Sequence, residues 1–350
     1  MTKIQKYLDD CVVKGVFPGA SWAIGNKDAI LEKGSVGFLG NGLGPVIEDT
    51  IYDMASLTKV FTALALMKQF EDGLVRLVDS VEYFLPSYKD CPLGKVNIFA
   101  LLTHTAPFLA GPPLYRHVKT REELLEALRL SQLRTDNLDQ VFYTCEAFIL
   151  LGEIIAAIDA STLDEVIRRR VLEPLGMKET CFKPPASLIE RIAPTEECSM
   201  RGRLIRGEVH DENAWIMGGV SGNAGVFSNA PDMTRIGAAM LASLEKDAFL
   251  HKATAKLMTL NHTPGMGENR GLCWVIAGPG YSCGDLFSPA GFGHTGFTGT
   301  SLWIDPERKL YGVLLSNRIH PRRDNTKLFR TRNIFYNLTI LEYGESRNGK

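Results

Sequence analysis

The chain has 350 residues, of which 45% are apolar and 23% charged, with 39 basic against 40 acidic side chains and a formal net charge of −1. That balance excludes disorder, collagen-like repeats and coiled coil, and a chain this long buries roughly three quarters of its unfolded surface without a metal or disulfide staple. It also lacks the clustered positive excess with which proteins wrap nucleic acid; Arg168 to Arg170 and Arg318 to Arg323 are short runs that read as solvated faces.

The first segment carries Asp9 and Asp10 and has no apolar core of the kind a secretory signal needs. No apolar stretch approaches the ~20 residues of a membrane span. Seven cysteines, an odd number with no CxxC pair, fit a reducing compartment. A cytoplasmic location is the expectation.

Residues 19–38 read as a strand, a turn at Gly25 to Asp28 and a second strand. From Asp53 to Leu74 the pattern turns helical, with Val60, Ala63, Met67, Phe70 and Leu74 at spacings of three and four. A helix-rich middle follows. Thr120 to Glu123 is a capping box, Ser161 to Asp164 opens a helix that Leu175-Gly176 closes, and Pro231 to Met233 starts another that runs to about Leu244. Near the end, Thr300 to Asp305 and Lys309 to Ser316 flank a hairpin turn, and Phe329 to Tyr343 is a last helix. These signals predict an α+β fold: an antiparallel sheet built from both termini, flanked by helices, with a helical lobe inserted. Residues 1–75 and 246–350 are assigned to the sheet lobe and 76–245 to the helical lobe, with a cleft between them.

Several patterns carry no chemistry. Gly291 to Gly296 matches GxGxxG but leads into a strand, so no helix N-terminus is there to hold a pyrophosphate. His210-Asp211-Glu212 has no second cluster to complete a metal site and reads as a loop hydrogen-bond network. No motif calls for a metal, nucleotide or flavin, and none specifies an oligomeric state.

Ser56-Leu57-Thr58-Lys59 is different because of its position at the start of an apolar helix, where free N–H groups favour developing negative charge. Lys59 lies one turn on, within reach of the Ser56 hydroxyl. Burial would lower its pKa, making a neutral amine beside a nucleophile. Taken alone, the segment equally describes a helix cap followed by a lysine that reaches solvent.

Two further segments bear on this: Phe142-Tyr143-Thr144-Cys145 before an apolar helical run, and Gly293-His294-Thr295-Gly296-Phe297 leading into a strand. In this order the three resemble the signature of the penicillin-recognising serine hydrolases, SxxK, then YxN or SxN, then K/HTG. The likeness is greatest to class C β-lactamases and the related serine esterases, D-amino-acid peptidases and low-molecular-weight penicillin-binding proteins. Leu101 to Thr105 is similar to that family's LLTHTSG turn, and Gly218 to Ser228 to its GGxAGxAGLFS stretch.

The resemblance implies a β-lactamase/transpeptidase-like fold and an acyl-enzyme mechanism. Ser56 would be the nucleophile, Lys59 the base or proton relay, Tyr143 the phenol that shuttles a proton to the leaving group, and His294 part of the facing strand's hydrogen-bond network. The backbone N–H groups of Ser56 and Phe297 would form the oxyanion hole, with Cys145, Thr295 and Gly296 against the substrate. His294 stands where the family often has lysine, and an ordinary imidazole there would titrate near pH 6.5, so activity is expected to fall in acid. Cys145 replaces the family's asparagine, and Thr105-Ala106-Pro107 departs from Thr-Ser-Gly. A thiol is a weak donor and acceptor, so the usual contact to an acylamide is altered. The expected activity is therefore a carboxylesterase or amide hydrolase on a small-molecule ester, amide or β-lactam. The alternatives are a β-lactamase, or a D-alanyl-D-alanine carboxypeptidase or D-aminopeptidase of the penicillin-binding-protein type, with the same mechanism, an acyltransferase, or a non-catalytic binding protein.

Overall fold

The two longest apolar strands come from opposite ends of the chain and pair at the centre of one sheet. The computed structural model describes residues 1–40, 42–111, 113–136 and 138–344. Residues 345–350, the end of the expected sheet lobe, lie outside the described residues.

Helix α1 (Lys3–Val13) leads into the hairpin β1 (Gly19–Gly25) and β2 (Ile30–Gly37), whose turn is closed by the Asn26 side chain accepting from the backbone of Asp28 and Ala29. After β3 (Tyr52–Asp53), a single 3-10 turn at Ala55–Leu57 opens α2 (Thr58–Glu71). The helical stretch comprises α3 (Val81–Phe84), α4 (Ile98–Leu102), α5 (Arg121–Arg129), α6 (Glu146–Ile158), α7 (Leu163–Ile167) and α8 (Glu173–Leu175), the last ending at Gly176 in the left-handed conformation. Short strands β4 (Cys181–Phe182), β5 (Glu197–Cys198) and β6 (Arg203–Leu204), the helix α9 (Glu212–Ile216) and β7 (Val226–Ser228) precede α10 (Ala230–Glu245) and α11 (Lys252–Thr259). The chain closes with β8 (Val275–Ile276), β9 (Phe292–Thr295), the hairpin β10 (Ser301–Asp305) and β11 (Leu310–Ser316), and α12 (Leu328–Tyr343).

The main sheet has the order β2-β1-β11-β10-β9-β8 and every pairing is antiparallel, with Ala20 opposite Ser316 and Ile24 opposite Gly312. Its central strands are apolar on both faces because both are covered. Trp22, Ile24 and Leu314 pack with Ile4 and Leu8 of α1 and with Phe335 and Tyr336 of α12. The alternate residues Ala23, Val313 and Leu315 join Met233, Ile236 and Met240 of α10 in the larger core. A lobe boundary at 245 would leave α10 with the helical stretch, although its packing is with the sheet. Helix α2 is buried on all sides from Thr58 to Met67 and lies against α6. Among the described residues no helix is long and apolar enough to cross a membrane.

Two expectations change in ways that matter for the site. The helix expected from Asp53 starts only at Thr58, because Asp53 belongs to β3 and its carboxylate takes the Ala55 N–H while Ala55 turns to a φ of 47°. The strand expected after the Gly293–Phe297 segment instead contains part of it: His294 and Thr295 lie on β9.

Candidate active site

From Thr50 to Met67 every residue is buried except Ser56, which is half-buried. The turn that raises it to the surface is held by side chains. Asp53 accepts from Ala55 N at 2.8 Å and from His210 N at 2.7 Å. From the β9–β10 connection, Thr298 Oγ1 donates to the Asp53 carbonyl at 2.7 Å and Thr300 Oγ1 to the Met54 carbonyl at 3.0 Å. That close approach requires glycine at 296, since a Cβ there would overlap the Thr300 hydroxyl and the Met54 carbonyl.

Beneath Ser56 lies the fully buried Lys59, whose Nζ donates to Ser56 Oγ at 3.1 Å and to the Asn223 carbonyl at 3.1 Å. The Cys145 Sγ is 3.9 Å away and the Tyr143 ring centroid 5.0 Å. Burial pulls the ammonium down, but the Cys145 thiol, the Tyr143 phenol and Asp211 act against it, and the net direction is up from the ordinary lysine value. Lys59 is thus a cation at neutral pH. The expectation of a neutral amine took account of burial and missed the acidic groups that surround it.

Tyr143 is 40% exposed and lies in the segment just before α6, where both Lys59 and the Arg270 guanidinium, 5.2 Å from the centroid, approach its ring. The His294 ring centroid is 6.2 Å from that of Tyr143. Its Nδ1 lies 2.9 Å from the Thr295 carbonyl, which fixes the proton on Nδ1 and leaves Nε2 as a buried acceptor with no partner among the described residues. Burial, together with the charges of Arg270 and Lys59, holds its pKa well below 6.5. This corrects the expectation of a group titrating near that pH: the imidazole stays neutral where an exposed one would charge.

Ser56, Tyr143, Cys145, Thr295, Gly296 and Phe297 all line one cavity of about 570 Å³, together with His294, while Lys59 reaches Ser56 from behind. Burial pushes the Cys145 thiol up to about 11. Phe297 is 46% exposed and stacks on His210, with the Arg318 guanidinium 4.7 Å from its centroid. The His210-Asp211-Glu212 triplet is tied into the protein: His210 Nε2 is 2.8 Å from Glu196, Asp211 caps α9 and accepts from Asn223 Nδ2, and Glu212 pairs with Arg323.

Four arginines also line this cavity, Arg270, Arg318, Arg323 and Arg332. Arg270 pairs with Glu268 at 2.6 Å, and Arg323 pairs with Glu196 and Glu212 at 2.6 and 2.8 Å. Arg318 and Arg332 instead donate to backbone carbonyls, those of Arg323 and Asn325 for the first and of Gly296 and Thr300 for the second. Among the described residues no carboxylate pairs with either, and both Nε atoms are buried without a partner.

Sequence reasoning passed over Asp53, Asn223, Arg270 and Arg332 as site residues, and it read Arg318 to Arg323 as a solvated face, whereas Arg318 is buried and both Arg318 and Arg323 line the cavity. Asn223 lies inside the stretch compared with GGxAGxAGLFS, but nothing in the string shows that its carbonyl rather than its side chain meets Lys59. A basic run in the string does not reveal whether its arginines face solvent or a cavity, because their convergence depends on the fold.

The beta-lactamase family model matches residues 4–334. A Salmonella enteritidis PT4 protein, provisionally named a D-alanyl-D-alanine carboxypeptidase, is 33% identical over 316 residues, covering 80% of this chain and 72% of that protein. Among solved structures, EstCE1, a hydrolase with promiscuous acyltransferase activity, superposes with a TM-score of 0.74 at 19% identity, covering 95% of this chain and 97% of its own. A class C β-lactamase from Rhodobacter sphaeroides gives 0.72 at 17% identity, covering 96% and 99%. With the family match running nearly from end to end, the chain belongs to the beta-lactamase family of serine hydrolases.

Proposed function

We propose that this chain cleaves carboxylic esters or amides through an acyl-enzyme on Ser56. The observation that carries the reading is the 3.1 Å contact from Lys59 Nζ to the one hydroxyl that a wholly buried segment exposes to the cavity. In one concerted shift the Ser56 oxygen bonds to the substrate carbonyl carbon and the bond to the departing oxygen or nitrogen breaks, while the Tyr143 proton passes to that departing atom, a Lys59 proton to the Tyr143 oxygen and the Ser56 proton to Lys59. Each group gives one proton as it takes another, so Lys59 is a cation before and after, in keeping with its raised pKa. The same relay in reverse activates water to release the acyl group. The backbone N–H groups of Ser56 and Phe297, two residues that line the cavity, receive the oxyanion in this reading, a contribution of about 10²–10³-fold per donor. Thr295 and Gly296 shape the wall of the acyl site, and neutral His294 offers Nε2 as an acceptor. Cys145, a weakly bonding thiol where an amide-recognising side chain would be useful, favours esters over acylamides.

The test compares short-chain p-nitrophenyl esters with a chromogenic cephalosporin, in the wild type and in Ser56→Ala. Faster ester turnover, lost with the hydroxyl, supports the reading. Cephalosporin turnover far above ester turnover would reverse the substrate order.

A second reading is favoured by Arg318 and Arg332: a leaving group that ends in a free carboxylate, as in D-alanyl-D-alanine carboxypeptidase chemistry, the activity in the name of the Salmonella relative. It predicts a KM at least about tenfold lower for a substrate with a free terminal carboxylate than for its methyl ester. Equal KM values would remove it.

A further inference from the structure

Tyr143 belongs to no helix or strand, yet the proposed relay needs its phenol at one place above Lys59. His104, at the end of the turn after α4, ties down the residues on both sides of it. The His104 carbonyl accepts from Phe142 N at 2.8 Å, and its Nδ1 accepts from Thr144 N at 3.4 Å. Between these two bonds the imidazole packs on the Tyr143 ring, centroid to centroid 4.5 Å at 36°. Its other contact is Phe148 of α6, at 5.2 Å. His104 adopts a φ of 57°, which a residue with a Cβ rarely does, and the side chain is 1% exposed. That conformation turns the carbonyl and the ring toward one segment. Acceptance at Nδ1 puts the ring proton on Nε2, and that atom is buried with no partner among the described residues.

We propose that His104 is the positioning residue for Tyr143, holding the phenol over Lys59 through two backbone hydrogen bonds and one tilted ring contact. The inference rests on the Ser56–Lys59–Tyr143 relay. His104 touches neither Ser56 nor the cavity, so it acts on the reaction only through the tyrosine. The group best able to replace it is asparagine, which tolerates a positive φ and whose Oδ1 can accept from Thr144 N.

A fluorophosphonate adduct is first mapped by mass spectrometry in the wild type; no adduct on Ser56 would overturn the relay and this inference with it. With the adduct established, kcat and KM for a p-nitrophenyl ester are measured in His104→Ala and His104→Asn, each in the wild-type and Tyr143→Phe backgrounds. His104→Ala is expected to lower kcat at least about 30-fold with KM within about threefold, and His104→Asn to recover kcat to within about fivefold of the wild type. Both effects should vanish when Tyr143 is already phenylalanine, since residues acting as one unit are not additive. If His104→Ala does not fold, His104→Gly takes its place, since glycine tolerates the positive φ and offers neither the ring nor its Nδ1 acceptor: a loss of kcat that vanishes in the Tyr143→Phe background supports the proposal. A loss of the same size in both backgrounds, a His104→Asn kcat no better than that of the truncated variant, or a kcat of the truncated variant within threefold of the wild type would overturn the positioning role while leaving the Ser56 chemistry standing.

Discussion

On the floor of the cavity the Lys59 ammonium is enclosed by groups that answer it, the Ser56 hydroxyl, the Asn223 carbonyl and the acidic side chains of Cys145 and Tyr143. On the wall, Arg318 and Arg332 hydrogen-bond, among the described residues, only to backbone carbonyls, Arg318 lying also against the Phe297 ring, and burial pulls Arg332 down to about 10, still protonated at neutrality. A charge compensated from within the protein is positioned for chemistry or for architecture. A charge left uncompensated beside a cavity is free to meet a substrate anion. The two regions should therefore fail differently: damage to the floor costs rate, and damage to the wall costs affinity or stability.

The largest effect expected is on the floor. Ser56→Ala should reduce ester turnover by at least about 10³-fold and abolish the covalent adduct, with the folded state unaltered by circular dichroism. Tyr143→Phe should lower kcat by roughly 10²-fold with KM little changed. A rise in KM instead would place Tyr143 with the wall, in substrate binding.

Within the wall, the paired arginine should behave as architecture. Arg323 compensates the buried carboxylate of Glu196, and Arg323→Met should destabilise the fold by about 2 kcal/mol, read from urea unfolding. Despite the opposing effect of burial, Arg323 and His210 hold the Glu196 carboxyl down at about 2, so its stabilising contribution is complete above the ordinary 4.5 and is lost as the pH falls from there toward 2. The variant should lose that acid-dependent slope. An unpaired arginine should behave otherwise: Arg318→Gln is expected to raise KM about tenfold for a substrate carrying a free carboxylate, and not for its neutral ester. Equal effects on both substrates would show that Arg318 shapes the wall without reading charge.

Much of the floor was legible in the string because its parts are local. Ser56 and Lys59 share one helical turn, the Thr120 cap and the Gly176 stop sit where the residue types put them, and the β10–β11 hairpin follows from Asp305-Pro306-Glu307-Arg308. The wall was not legible, because Arg270, the Arg318–Arg323 connection and Arg332 of α12 lie on three segments that converge only through the fold. Charge states were the other loss. Periodicity shows that Lys59 is buried, but its protonation depends on Cys145, 86 positions away, and on Tyr143. The start of α2 also escaped pattern reading, since helical spacing is silent about Ala55 and the Asp53 carboxylate that holds it.

The smallest effect expected tests whether His294 belongs to floor or wall. From β9 it faces Arg270, Lys59 and Arg332 as cations and Tyr143 and His104 as neutral rings, and burial with those charges keeps it unprotonated well below 6.5. Between pH 8 and 5 the rate should therefore show no inflection that disappears in His294→Gln. An inflection near 6.5 lost on that substitution would mean that the imidazole charges within the working range and takes part in the floor's proton transfers. Stability should be the more sensitive reporter. The unfolded chain takes up the histidine proton below about 6.5 while the folded one resists, so the contribution is held above that pH and lost below it, by up to about 1.4 kcal/mol per pH unit. His294→Gln should flatten that part of the Tm profile without changing the shape of the rate profile, which separates a neutral acceptor on the wall from a titrating partner of Ser56.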